Sequence, residues 1–343
     1  LATDRRMVDN DGSGSVVGFD TRYKFNKTYQ VELQTLFSHT QEPNDSLLVN
    51  NTIFGDDNTF TFDGESFSGN AVELEFRRET KHWGIETGYD HRSPAFRADN
   101  GFISNNNQRR VYLQSYWVYT PDKMISKVVG GFHSGIEYNF DGKKKSRYTS
   151  FFGNVVLPRQ TRFNINISVK PFTRFKEVDL ENLWDLSVNI NSHFNKSLSL
   201  GGSFSRGVNT VTFLDVPEKG NSTSFSLWTR LKVSDRMHVG GTYENYQMTT
   251  LDKKEEYYSG YLTGIRMNYQ YNQALSFRLL GQYNDFSQTF QLQPLLSYQP
   301  SPFTIFYIGS TSNQIAENLS IDSIMEGQVQ DRQLFLKFQY LFN

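Results

Sequence analysis

Arg162-Phe163-Asn164-Ile165-Asn166-Ile167-Ser168-Val169-Lys170 alternates without a fault between apolar and polar residues. Successive side chains of an extended chain point to opposite faces. Phe163, Ile165, Ile167 and Val169 therefore share one face, and Arg162, Asn164, Asn166, Ser168 and Lys170 share the other. A helix would scatter the same residues around its circumference. The pattern returns with Trp184, Leu186, Val188 and Ile190 against Asp185, Ser187, Asn189 and Asn191. Further runs are Tyr29/Val31/Leu33/Phe37, Val72/Leu74/Phe76, Phe225/Leu227/Leu231/Val233 and Leu275/Phe277/Leu279. The last run, Leu334/Leu336/Phe338/Tyr340/Phe342, ends just before the C-terminus. These runs predict an all-β, antiparallel chain.

The connections between runs set the architecture. Short turns fall near Asn26-Lys27, Lys81-His82, Pro121-Asp122-Lys123, Pro158-Arg159-Gln160, Asn195-Lys196, Asp235-Arg236, Asn272-Gln273 and Pro300-Ser301-Pro302. Three repeat one chemistry, an aromatic before a turn-forming Asn: Phe25-Asn26-Lys27-Thr28, Phe194-Asn195-Lys196-Ser197 and Tyr271-Asn272-Gln273-Ala274. Between the turns lie longer polar loops over 40–69, 92–107, 207–222 and 311–328. Alternating short and long connections are expected of a transmembrane β-barrel with periplasmic turns and extracellular loops. Aromatics crowd the short-turn side: Tyr23, Phe25, Tyr29, Trp83, Trp117, Tyr119, Phe163, Phe194, Phe303, Tyr340 and Phe342. Such a girdle separates a membrane barrel from a soluble β-sandwich. Pro171 and Pro294 fall where strands should run and predict strand ends or bulges.

Composition agrees with this reading. Aromatics reach 15% of the 343 residues while hydrophobic residues total only 37%. The mean hydropathy of -0.56 is compatible with a barrel, whose strands offer lipid every second side chain. No run approaches the roughly 18 apolar residues that a transmembrane helix requires. Cysteine is absent, which excludes disulfides and thiolate metal sites. A net charge of -1 gives no footprint for nucleic acid.

Residues 1–343 read as one outer-membrane barrel domain, the C-terminal part of a longer exported protein, because no signal peptide is visible. The final strand should finish in the periplasm. Counting back through the turns gives about 17 strands, and a single-chain bacterial barrel has an even number. The first strand would cover about Ser15 to Phe25, leaving Leu1 to Gly14 extracellular. An odd number of further strands is therefore expected from upstream of Leu1 or from a separate polypeptide. They would pair with the strand beginning near Ser15 and with the final strand around Phe338. A strand wrongly split or merged near Pro294 is the alternative.

Charged residues that alternate with apolar ones should line the lumen: Arg22, Lys24, Glu32, Glu73, Glu75, Arg77, Glu86, Asp90, Arg162, Lys170, Arg230, Lys232, Arg266 and Arg278. Register around the turns pairs Phe25 with Tyr29, Arg22 with Glu32, Thr80 with Trp83 and Arg77 with Glu86. A lining of both signs suits a wet channel or a cross-braced interior.

The segment Pro94-Ala95-Phe96-Arg97-Ala98-Asp99-Asn100-Gly101-Phe102-Ile103, followed by Arg109 and Arg110, resembles a signature of an uncharacterised outer-membrane β-barrel family of the Bacteroidota. Phe277 to Phe306, with Gln282-Tyr283-Asn284-Asp285-Phe286 and Pro294-Leu295-Leu296-Ser297-Tyr298, resembles that family's closing hairpins, and Asp331 to Phe342 its final strand. The resemblance implies a barrel that usually follows an N-terminal domain similar to family 9 carbohydrate-binding modules, preceded by further barrel strands. It implies no catalytic residues.

Candidate sites are few. Asp9-Asn10-Asp11-Gly12-Ser13-Gly14 has the acidic oxygens and glycines of a calcium loop but lacks a distal bidentate Glu. It reads as an Asx-rich solvent loop, as do Asp56-Asp57 and Asp63-Gly64, and no metal or other cofactor is assigned. His133 and Ser134 are adjacent, so they point to opposite faces and cannot act together. His39, His82, His91, His193 and His238 show no ligand spacing. Asp45-Ser46-Leu47 and Asp322-Ser323-Ile324 match the O-glycosylation pattern of the lineage that the resemblance implies, with Ser46 and Ser323 as acceptors.

The expected role is a non-enzymatic scaffold, binding or translocation component of the envelope, glycan-related or part of a larger complex. The alternatives are a general diffusion pore and a barrel enzyme acting on lipid or peptide. Expected partners are outer-membrane lipid and lipopolysaccharide, the upstream strands and other envelope proteins, with no nucleic acid.

Overall fold

The computed structural model describes residues 1–7, 12–45, 47–54, 58–98, 103, 105–121, 124–316, 324 and 327–342. Its strands begin with β1 (Ala2–Arg6), β2 (Ser13–Phe25), β3 (Tyr29–Gln41), β4 (Ile53–Phe54), β5 (Asn58–Thr59), β6 (Ser66–Glu79) and β7 (Trp83–Arg92). Next come β8 (Gln108–Tyr119), β9 (Lys127–Tyr138), β10 (Lys144–Leu157), β11 (Thr161–Phe175), β12 (Val178–His193), β13 (Leu198–Val211) and β14 (Glu218–Ser234). The last are β15 (Met237–Thr250), β16 (Glu256–Gln270), β17 (Leu275–Asn284), β18 (Thr289–Ser301), β19 (Thr304–Ile315) and β20 (Val329–Tyr340).

Strands β4 and β5 pair with each other in a separate two-stranded sheet inside the connection from β3 to β6. The rest form one 18-stranded antiparallel sheet in which each strand pairs with its neighbour in sequence. Leaving aside the short β1, that sheet contains the 17 strands counted from the sequence.

Register makes the two faces continuous. Phe163, Ile165, Ile167 and Val169 of β11 lie opposite Ile190, Val188, Leu186 and Trp184 of β12. On the same face stand Phe204 opposite Phe225 and, at the other end of the sheet, Phe306 opposite Phe338. This apolar face is uncovered: Val17, Phe19, Phe37, Ile167, Leu227, Ile265 and Ile308 are all exposed. A soluble protein would have to cover an apolar surface of this extent, whereas a membrane barrel turns it to lipid. The short turns end in paired aromatics, with Phe25 stacked on Tyr29 at 5.2 Å and Trp83 opposite Trp117.

Three expectations are corrected. Leu1 to Gly14, expected to precede the first strand, contains one: Asp4 pairs with Ser15 and Arg6 with Ser13, so β1 is a strand and β2 begins at Ser13. Its sequence, Ala-Thr-Asp-Arg-Arg, is too short and polar for alternation to be legible. The polar stretch 207–222 is mostly strand, since β13 runs to Val211 and β14 starts at Glu218. Alternation of short and long connections also fails between β11 and β12, which Lys176 and Glu177 alone connect, both with positive φ (47° and 61°). These strands are 15 and 16 residues long, whereas about 9–11 suffice to cross a bilayer. The hairpin therefore stands above the membrane on strand pairing, and polar composition there signals exposure to water.

Pro171 lies in a bulge on the β10 side, where the register shifts between Arg147 and Thr149 so that Lys170 and Pro171 oppose Tyr148. On the other side the β11–β12 ladder keeps its register but skips the pair with Asn182, whose φ is 58°. Pro294 lies inside β18 opposite Leu279, so no strand is split there. Among the described residues, β20 pairs with β19 alone, and β2 has no partner opposite its β3 side from Phe19 to Phe25.

Candidate functional site

The polar face carries the chemistry. Arg22 Nε lies 2.7 Å from Glu32 Oε1, and Arg77 Nε lies 3.0 Å from Glu86 Oε2. The two pairs meet through Glu75, which is Glu32's cross-strand partner and lies 2.7 Å from Arg77 Nη2. Further along, Asp90 accepts from Arg110 Nε at 2.6 Å and from Gln108 Nε2 at 3.0 Å. These pairs brace β2, β3, β6, β7 and β8 across the strands, and partial exposure keeps each modest in energy.

Aromatic rings lie over glycines on the same face. Tyr112 and Tyr116 of β8 pair with Gly88 and Gly84 of β7, and Tyr148 and Phe152 of β10 pair with Gly135 and Gly131 of β9. A Cβ on Gly88 or Gly131 would stand 2.7 Å from the ring of Tyr112 or Phe152, so only glycine leaves room for the rings to lie against the wall. The Tyr112 and Tyr116 hydroxyls donate to Glu75 and Glu79 at 3.3 and 3.2 Å. Strand alternation alone does not reveal this arrangement, although its signal is in the sequence: glycines four apart on one strand and aromatics four apart on the next.

His133 contacts the Tyr148 hydroxyl at 3.3 Å, while Ser134 on the opposite face meets Thr149 Oγ1 at 2.8 Å. They form no catalytic pair.

Across β10 to β14 the polar face carries an uncharged band, alongside charged positions that include Arg162 opposite Asn191, Arg230 opposite Ser199 and Asp185 bonded to Ser205. Asn154 Nδ2 donates to Asn164 Oδ1, Asn164 Nδ2 to Asn189 Oδ1 at 3.3 Å, and Asn191 Nδ2 to the same Asn189 oxygen. Trp228 Nε1 completes the band by donating to Asn191 Oδ1 at 3.1 Å. Ser150 with Ser168 and Ser203 with Ser226 extend it at 3.0 and 2.7 Å. Trp228 also borders a cavity of about 340 Å³ with Thr242, Arg266 and Gln282.

At the long-connection end, the segment after β7 folds back over β3 and β6, burying Ala95 and Phe96. Gly69 permits it, because any Cβ there would overlap the Phe96 backbone. Arg97 Nη1 donates to Glu42 Oε1 at 2.6 Å, and its guanidinium sits 4.9, 5.6 and 4.6 Å from the rings of Phe54, Phe60 and Phe67. Burial pushes the Glu42 carboxyl above its ordinary 4.5. Arg97 pulls it back, and Glu65 and Asp63 push the same way as burial.

A continuous antiparallel wall with an apolar outer face, aromatic turn ends and a polar inner face is built for one solvent, the bilayer of a bacterial outer membrane. The chain is an outer-membrane β-barrel. No family model and no curated protein matches it. Among solved structures it is similar to a variant of the ferric enterobactin receptor PfeA from Pseudomonas aeruginosa, at 10% identity and a TM-score of 0.49. That match covers 88% of this chain and 57% of the receptor, so the chain spans less than two thirds of that protein. The siderophore receptor PirA from Acinetobacter baumannii gives 10% identity and a TM-score of 0.38, covering 100% of this chain and 73% of that one. The outer membrane channel DcaP from the same organism gives 12% and 0.39, covering 93% and 99%.

Ser46, Ser323, Asp9, Asn10, Asp11, Asp56 and Asp57 lie outside the described residues.

Proposed function

We propose that this chain is one wall of a larger, non-enzymatic outer-membrane barrel that binds or passes uncharged, hydroxyl-rich solutes of the glycan class. The observation that supports this most is the band from Asn154 through Asn164, Asn189 and Asn191 to Trp228. Amides offer both donors and acceptors without a net charge to desolvate, and an indole beside them adds a flat apolar surface. Sugar rings present the same mixture of hydroxyls and apolar faces. Binding of neutral oligosaccharides to the purified full-length barrel, read by tryptophan emission, tests the reading. Saturable binding that Trp228→Ala and Asn189→Leu weaken is expected. An emission that no neutral oligosaccharide changes would overturn it.

The free edges support the larger barrel. Unpaired N–H and C=O groups in hydrocarbon cost several kcal/mol each, and every residue of β20 is exposed. Strand β1 already pairs with Ser13 to Val17 of β2, and a continuation of its ladder would cover Phe19 to Phe25. Further antiparallel strands, odd in number when β1's own strand is included, bridge that edge to β20.

A further inference from the structure

The β3–β6 connection brings Glu42, Asp63 and Glu65 together, with one carboxylate oxygen of each within 4.8 Å of the others. Backbone hydrogen bonds hold them there: Glu42 N donates to Glu65 O at 2.9 Å, and Thr59 N donates to Glu65 Oε2 at 2.8 Å. Gly64, at a φ of 86°, turns the chain between the two loop acids, and Gln41 Nε2 fixes its carbonyl at 2.7 Å.

Acidic groups often cluster without a ligand, and here Glu42 supplies a separate reason to expect one. Its side chain is 1% exposed. Oε1 takes the Arg97 hydrogen bond, whereas Oε2 is buried and has no hydrogen-bond partner among the described residues. A buried carboxylate oxygen without a donor is costly, and its carboxylate neighbours repel it. Among the described residues, Arg97 is the one cation in an ion pair with any of these three carboxylates.

We propose that Glu42 Oε2, Asp63 and Glu65 bind one calcium ion. All three ligands are hard oxygens, with no thiolate or imidazole to favour a softer metal. Calcium accepts six to eight oxygens in irregular geometry, whereas magnesium demands a near-ideal octahedron and sheds water reluctantly. The site lies on the long-connection side, which faces the medium. Through Glu42 and Arg97 the ion would couple the β3–β6 connection to the segment that covers β3 and β6 after β7.

Calorimetric titration of the folded, chelator-stripped full chain in detergent with CaCl2, and in parallel with MgCl2, tests this. One calcium per chain is expected, with a Kd of about 0.1–1 mM, as in extracellular modules, and weaker magnesium binding. Asp63→Asn and Glu65→Gln should each weaken calcium by at least about tenfold, while Asp141→Asn, in the β9–β10 connection, leaves it unchanged. Heat-modifiable migration in gels verifies that each variant is folded. Absence of saturable calcium binding, an affinity that neither Asp63→Asn nor Glu65→Gln changes, or magnesium bound as tightly as calcium would each overturn the proposal.

Discussion

Arg97 Nη1 and Glu42 Oε1, 2.6 Å apart, join two connections that are 55 residues apart in the chain. The same arginine donates its backbone N–H to Ser38 Oγ at 3.2 Å. The covering segment is therefore held to the end of β3 through a buried charge. Arg97→Met should leave Glu42 buried and unpaired at about 3–5 kcal/mol, the range for breaking a buried pair. The loss should be local, because the wall strands do not depend on it. Hydrogen exchange should accelerate in 58–65 and 93–98 while β11 to β14 stay protected, and adding Glu42→Gln should restore part of the protection. Uniform acceleration along the wall would show that the pair is not a local clasp.

The assignment of faces predicts opposite outcomes at adjacent residues. Ile167→Arg places a charge on the lipid side and should cost about 2–4 kcal/mol near the bilayer midplane. Asn166→Arg places it on the polar side and should be tolerated. Urea titration of folding into lipid vesicles measures both, and equal costs would mean that the faces are misassigned.

Arg77 stands between Glu75 and Glu86 with its side chain 40% exposed. A double-mutant cycle with Arg77→Ala and Glu86→Ala should give a coupling of about 0.2–1 kcal/mol, shrinking at high salt. A coupling several times larger and insensitive to salt would indicate a dry, plugged interior at this depth.

Neighbouring glycines on β9 should differ. A Cβ on Gly131 would overlap Ser115 O and stand 2.7 Å from the Phe152 ring, whereas on Gly130 the nearest atom is 3.9 Å away. Gly131→Ala should destabilise by about 1–3 kcal/mol, the usual cost of overpacking, and Gly130→Ala should be near neutral. Chemical denaturation of the two variants side by side tests the seating of Phe152 against the wall.

Period-2 patterning made the wall legible because lipid enforces it. From Phe163 to Val169 each odd position meets hydrocarbon, so one strand can be read without its neighbours. The turns were legible where Asn26, Asn195 and Asn272 carry turn chemistry. Beyond the membrane that constraint lapses. Lys176-Glu177 turns a hairpin with no Gly or Asn, and Ala2–Arg6 pairs on backbone alone, so neither is visible from alternation. The sites follow the same division. Arg22 and Glu32 follow from register around a short turn. Glu42 and Arg97 meet across two connections, and no periodicity relates them. The Asn154-to-Trp228 band spans five strands and required every register between them.

In the proposed barrel the edges at β2 and β20 are closed by strands from outside these residues. Because the chain has no cysteine, disulfide trapping in native outer membranes can test it directly. Tyr23→Cys is paired in turn with Leu336→Cys, Phe338→Cys and Tyr340→Cys, and photo-crosslinkers placed at Tyr23 and Phe338 report what lies beside each edge. The account predicts no disulfide at any of the three registers and crosslinked peptides that map outside residues 1–343. Efficient disulfide formation between Tyr23→Cys and any of the β20 cysteines would show that β20 seals against β2, and would contradict it.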